Sequence, residues 1–185
     1  MIRWQRAQEH EQGFTLVEVM VTIVVLGILF AIATSTWFGL VEARSVDSAA
    51  NQLAADLRLA HSSATNQLAP WRVVYNSNGA TFACGGTPDT DYCLLKLNGS
   101  TVTQTLPRSL PDNTKIQATN LLGISPLPGF SYDRSMQFCA DGSVREPCDS
   151  PPSMTAPRIT VSAEDNNPNH IIEVTPATSR VRVDP

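Results

Sequence analysis

Gly13-Phe14-Thr15-Leu16-Val17-Glu18, continued by Val19-Met20-Val21-Thr22-Ile23-Val24-Val25-Leu26-Gly27-Ile28-Leu29, is the stretch that decides how the chain is read. From Phe14 to Val41, 20 of 28 residues are apolar, and no charged residue stands between Glu18 and Glu42. That uncharged run of 23 residues would extend about 35 Å as an α-helix. The hydrocarbon core of a bilayer is about 30 Å thick, so the run is predicted to be a single transmembrane helix. A helix of a soluble core would usually be shorter. A secretory signal would close on a small-residue cleavage site, whereas here Trp37, Phe38 and Leu40 prolong the apolar run.

Upstream lies a polar leader, residues 1–13, in which Arg3 and Arg6 cancel Glu9 and Glu11. Acidic residues count little in membrane orientation, so the two arginines favour a cytoplasmic N-terminus. Glu18 is the anomaly within the run. A carboxylate in hydrocarbon is costly and needs a partner, unless the helix N-terminus alone stabilises it through the macrodipole.

The whole-chain averages conceal this segregation. With 185 residues, 42% apolar, 16% charged and a net charge of -4, the chain is too apolar for disorder. It also lacks the bulk positive charge of most nucleic-acid-binding domains.

The hexapeptide at residues 13–18 and the apolar run after it resemble the processing site of type IV prepilins and type II secretion pseudopilins. The resemblance implies cleavage between Gly13 and Phe14 by a prepilin peptidase, followed by N-methylation of Phe14. It also implies that Glu18 pairs, in the assembled filament, with the N-terminal amine of a neighbouring subunit and so sets register. The implied partners are the peptidase, other pilin or pseudopilin subunits, the inner-membrane assembly platform and lipid. The implied place is the bacterial inner membrane, single-pass, with the head periplasmic or in an extracellular filament. One departure is that no proline precedes Pro70, whereas pilin helices often carry one in the apolar segment.

Beyond the membrane run, Val46, Ala49, Ala50, Leu53, Leu57, Ala60, Ala64 and Leu68 recur at steps of three and four. This periodicity predicts an amphipathic helix over residues 42–69, stopped by Pro70 because the residue before proline disfavours the α region. From Trp71 the period changes, and residues 70–185 are expected to form a β-rich head. Strands are expected at 71–75, 80–84, 94–97, 101–106, 136–139, 143–144, 158–162, 170–174 and 180–183. Asn98-Gly99 suits a type I′ hairpin turn, and Asp141-Gly142 marks a second one. Residues 145–157, with four prolines, read as a surface loop. The fold class is α+β and pilin-like, one long N-terminal helix on an antiparallel head.

All four cysteines, Cys84, Cys93, Cys139 and Cys148, follow the membrane run. None forms C-x-x-C and no histidine stands at metal-ligand spacing, so neither metal nor cofactor is expected. Beyond a membrane helix an even count suggests disulfides. Three pairings exist; Cys84–Cys93 and Cys139–Cys148 are favoured because each pair brackets a short loop of Gly, Pro and Asp. The other reading is free, buried cysteines.

Three segments of the body resemble the GspH/FimT group of minor pilins and pseudopilins. They are Ala54 to Ala64, Phe138-Cys139-Ala140-Asp141-Gly142-Ser143, and the pair Ile171 to Val174 with Ser179 to Val183. His61, where an arginine is frequent, and Ser179, where glycine is usual, depart from it. The resemblance leaves a type II secretion pseudopilus and a type IV pilus both open. It also raises DNA binding, through Arg180 and Arg182 with Arg158 nearby. The competing reading pairs these arginines with Glu173 and Asp184 or leaves them in solvent. A membrane-tethered periplasmic enzyme is the remaining class. No nucleophile elbow supports it, and Asp89 and Asp91 read as a solvated Gly/Pro loop.

Overall fold

The computed structural model describes residues 14–76, 78–120, 127–151, 156–163, 169–176, 178 and 180–184. The chain divides into two units, Met1–Leu40 and Val41–Pro185. One helix, α1 (Leu16–Gln67), contributes to both.

In the first unit, Leu16–Thr34 is long and apolar enough to cross a membrane, and none of it is buried. Thr22 and Thr34 do not break its apolar character. Thr22 Oγ1 donates to the Val19 carbonyl at 2.8 Å, and Thr34 Oγ1 to those of Phe30 and Ala31 at 3.1 and 3.0 Å. Back-bonding of this kind satisfies hydroxyls without water.

The second unit combines the rest of α1 with ten strands. They are β1 (Trp71–Tyr75), β2 (Phe82–Cys84), β3 (Thr87–Thr90), β4 (Tyr92–Asn98), β5 (Thr101–Arg108), β6 (Thr114–Asn120), β7 (Arg134–Phe138), β8 (Arg158–Ala163), β9 (Asn169–Val174) and β10 (Val181–Asp184). One four-stranded sheet has the order β5-β4-β1-β7, a second the order β10-β9-β8-β6, and β2-β3 form a hairpin. Every strand pair is antiparallel. An apolar N-terminal helix followed by antiparallel sheets is the α+β, pilin-like arrangement expected.

The period-3.6 stripe of α1 forms one wall of the main core. Val46, Ala49, Ala50, Leu53, Ala54, Leu57, Ala60 and Ala64 are buried with Val73, Tyr75, Leu94 and Phe138 of the first sheet. Ile159, Val161, Ile172 and Val174 of the second sheet complete it. Five of those eight helix positions are alanine, which lets backbone approach backbone closely. The opposite face of the first sheet has its own smaller core. Val74, Cys93, Leu95 and Leu97 meet Phe82, Cys84 and Leu127 there. Covered on both sides, β1 is buried at all five residues.

Several expectations need correction. Leu68 is not part of the stripe: α1 stops at Gln67, and Leu68 is 78% exposed with φ of 48°. The Ala69 N–H reaches back to the Ala64 carbonyl at 3.3 Å, the Schellman closure that normally places glycine where Leu68 stands. The β4-β5 hairpin turns on Gly99-Ser100, because Asn98 already pairs with Thr101. Only Gly99 has positive φ, at 61°, which fits a glycine-first type II′ turn rather than type I′. The second predicted hairpin contracts to a single bridge between Phe138 and Val144. Asp89 lies in β3 rather than in a loop, and Asp91 accepts the Leu110 N–H at 2.7 Å. Strands β3 and β6 were not expected at all. The segment 145–157 holds no strand among its described residues, yet it is not wholly superficial, since the Glu146 side chain is 1% exposed.

Candidate functional site

The start of α1 is built by local chemistry. The Thr15 side chain accepts the Glu18 N–H at 3.2 Å, and the Thr15 carbonyl accepts the Val19 N–H at 3.2 Å. Thr15 is therefore the N-cap and Glu18 occupies the third helical position, the Thr-x-x-Glu spacing of a capping box. The spacing was present in the sequence, but Glu18 was read only as a charge. Phe14 precedes the cap and is 82% exposed. Among the described residues, no cation forms an ion pair with Glu18. Gly13, the other residue of the expected cleavage site, and the leader lie outside the described residues.

Within the second unit, polar contacts tie α1 to the strands. Asp56 Oδ2 accepts from Tyr92 Oη at 2.7 Å and from Arg108 Nε at 3.0 Å. Burial, reinforced by the Asp56 carboxylate, raises the Tyr92 phenol far above its usual pKa. Gln52 Nε2 donates to the Ser109 carbonyl at 2.9 Å, and His170 Nε2 meets Asp47 Oδ1 at 2.5 Å. Arg58 Nη2 donates to the Val181 carbonyl on edge strand β10 at 3.3 Å.

The three arginines raised as DNA contacts divide. Arg158 of β8 and Arg182 of β10 both stand opposite Glu173 of β9, so the three residues form one cross-strand row. Arg158 Nη2 lies 3.6 Å from Glu173 Oε2. Arg180 precedes β10 and is exposed. A carboxylate at the centre of the row offsets the positive charge that phosphate contact requires.

The favoured cysteine pairing is the one present, Cys84–Cys93 and Cys139–Cys148. Beside the second disulfide is a group that sequence reasoning missed. Arg72 of β1 is buried, and its Nη1 lies 3.1 Å from Glu146 Oε1, the two side chains being 6% and 1% exposed. Gln137 Oε1 accepts from Arg72 Nε at 3.1 Å and Nη2 at 2.6 Å, and Ser135 Oγ donates to Glu146 Oε2 at 2.5 Å. Buried charge survives only when paired and hydrogen-bonded, and this group meets both conditions. No local spacing announces a partner so far along the chain. Among the described residues, no group of three or more His, Cys, Asp or Glu is placed to hold a metal ion.

Helix start and fold together define a type IV pilin-like chain. Residues 10–34 match the family model of the prokaryotic N-terminal methylation motif. The fold resembles the Pseudomonas aeruginosa type IV minor pilin FimU, with a TM-score of 0.51 at 14% identity over 79% of this chain and 92% of that one. A second crystal form of FimU gives 0.49 at 15% identity over 75% and 92%. The minor pseudopilin EpsH from the type 2 secretion system of Vibrio cholerae gives 0.47 at 11% over 73% and 92%. No curated protein matches the sequence.

Proposed function

We propose that the chain is a minor pilin or pseudopilin subunit of the GspH/FimT type. In this reading a prepilin peptidase removes residues 1–13 by cutting between Gly13 and Phe14, and Phe14 is N-methylated. The apolar segment then anchors the subunit in the bacterial inner membrane, N-terminus cytoplasmic, and later carries it into a type II secretion pseudopilus or a type IV pilus. Residues 42–69 continue the helix into the exported head formed by residues 70–185.

The observation that carries this reading is the methylation motif over residues 10–34, set on a helix whose apolar side chains are left uncovered. Residues of that kind need lipid or other helices around them. The fold likeness to a minor pilin supports the same reading. Glu18 is the residue whose chemistry calls for a second subunit. Its carboxylate has no cation within its own chain among the described residues. The mature N-terminal amine of a neighbour supplies a complementary charge. Two desolvated charges that meet only in the correct register penalise misplacement, because an unmatched subunit leaves both unpaired.

The test replaces Glu18 by Ala and compares two readouts, membrane insertion and recovery in sheared filaments. Insertion is expected to persist and recovery to be lost. Wild-type recovery of the variant would remove the register role.

A further inference from the structure

The two disulfides have equal sequence separations, 9 residues each, but opposite surroundings. Cys84 and Cys93 are fully buried, enclosed by Val74, Phe82, Leu95 and Leu97 in the smaller core. Cys139 is also buried. Cys148 is half-buried, and it lines a cleft of about 420 Å³ whose other walls include Pro70, Ser100, Leu127, Pro147 and Asp149. Arg72 and Gln137 line the same cleft. Thiol–disulfide exchange requires a thiolate to reach one sulphur of the bond. Of the four cysteines, Cys148 is the one that is not buried and that lines a cleft.

We propose that Cys148 is a thiol-exchange site, reached through this cleft by a dithiol oxidoreductase, and that Cys84–Cys93 is closed to the same reagent. In the reducing direction the enzyme's thiolate attacks Cys148 Sγ. The Cys139–Cys148 bond breaks, and Cys139 leaves as a thiolate that takes up a proton. The enzyme's second thiolate then attacks the enzyme's own sulphur in the mixed disulfide. That step closes the enzyme's disulfide and releases Cys148 as a thiolate, which is protonated in turn. Two electrons pass from dithiol to disulfide, and the protons gained here equal those the enzyme's thiols lose. The reverse sequence inserts the bond into a newly exported head.

The cleft suits the second step. Gln137 Nε2 lies 2.9 Å from Cys148 Sγ and can donate to it, and hydrogen bonds and nearby positive charge favour a departing thiolate. Opening is also local. With the bond in place, contacts other than the disulfide already hold residues 144–146: the Arg145 N–H donates to the Gln137 carbonyl at 3.1 Å, the Val144 N–H to the Pro176 carbonyl at 2.8 Å, and Glu146 pairs with the buried Arg72. What reduction would loosen is the chain beyond Glu146, which carries Cys148.

The test uses the full chain in detergent micelles under native conditions. Graded dithiothreitol followed by alkylation and peptide mass spectrometry should label Cys139 and Cys148, with Cys84 and Cys93 unlabelled until denaturant is added. In parallel, a thioredoxin whose resolving cysteine is replaced by serine should be trapped as a mixed disulfide on Cys148. Labelling of Cys84 and Cys93 first, labelling of both pairs together, or no labelling before denaturation would overturn the proposal. So would trapping on Cys139, or a failure to trap.

Discussion

The two halves of α1 are both rich in apolar residues, yet they meet opposite fates. Between Leu16 and Thr34 no position is buried. Between Val46 and Ala64, eight apolar positions are buried against the two sheets. Their compositions differ accordingly. The first half is dominated by Val, Ile, Leu and Phe on every face, suited to lipid and to neighbouring helices. The second half confines apolar residues to one stripe and favours alanine there, suited to close contact with strands. Their carboxylates differ too, Glu18 in the first half against Asp47 and Asp56 in the second. Asp56 is satisfied inside the subunit by Tyr92 and Arg108, while Glu18 has no ion-pair partner among the described residues. One helix therefore carries two separate apolar surfaces, one buried against the sheets of its own subunit and one left uncovered, and under the proposed function head stability and filament assembly would be separable.

Matched substitutions in the two halves put this comparison at risk. The largest effect is expected from Leu57→Ala, which empties a fully buried position and should lower head stability by about 2–5 kcal/mol. Leu26→Ala, in the exposed half, should leave the head's denaturant midpoint unchanged. Equal losses for both would end the distinction. Next, Asp56→Ala removes the acceptor of a tyrosine and an arginine and should cost about 1.5–3 kcal/mol in urea unfolding. Glu18→Ala should cost the head nothing; a head weakened by it would place Glu18 among the stabilising residues. At the end of the buried half, Leu68→Gly should raise stability by about 1–2 kcal/mol, since a left-handed backbone is strained for leucine and free for glycine. A neutral or lower midpoint would show that Leu68 makes a contact worth more than its strain.

The smallest effect concerns pH and Asp91, beside the hairpin that faces α1. Burial raises its pKa, outweighing the Leu110 N–H that lowers it. A carboxyl that binds its proton more tightly when folded stabilises most below its unfolded pKa, near 3.8. That contribution is lost as pH rises through the higher folded value. Asp91→Asn should flatten this part of the stability–pH curve, as followed by urea midpoints across the acid range. A difference between variant and wild type that does not change with pH would refute it.

The helix and the division of its apolar residues were legible in the sequence because the signals are local. An uncharged run and a stripe at steps of three and four each reside within a few turns, whereas the Thr15 cap on Glu18, equally local, emerged only from the structure. The cysteine pairing was legible for the same reason, each pair closing a short loop. The Arg72–Glu146 group was not, because a buried charge finds its partner through the tertiary fold. Strand β6 escaped because Thr114 to Asn120 contains one large apolar residue, Ile116, too few for alternation to register. Leu68 misled because its periodicity continued one residue beyond the point where Pro70 allows the helix to run.

The claim on which the rest depends is that the first half of α1 begins at a processed residue. Intact-mass and N-terminal peptide mass spectrometry of the protein purified from its native membrane measures this directly. The account requires a chain that starts at Phe14 with a methyl group on its amine. A mature chain that still begins at Met1 would contradict it.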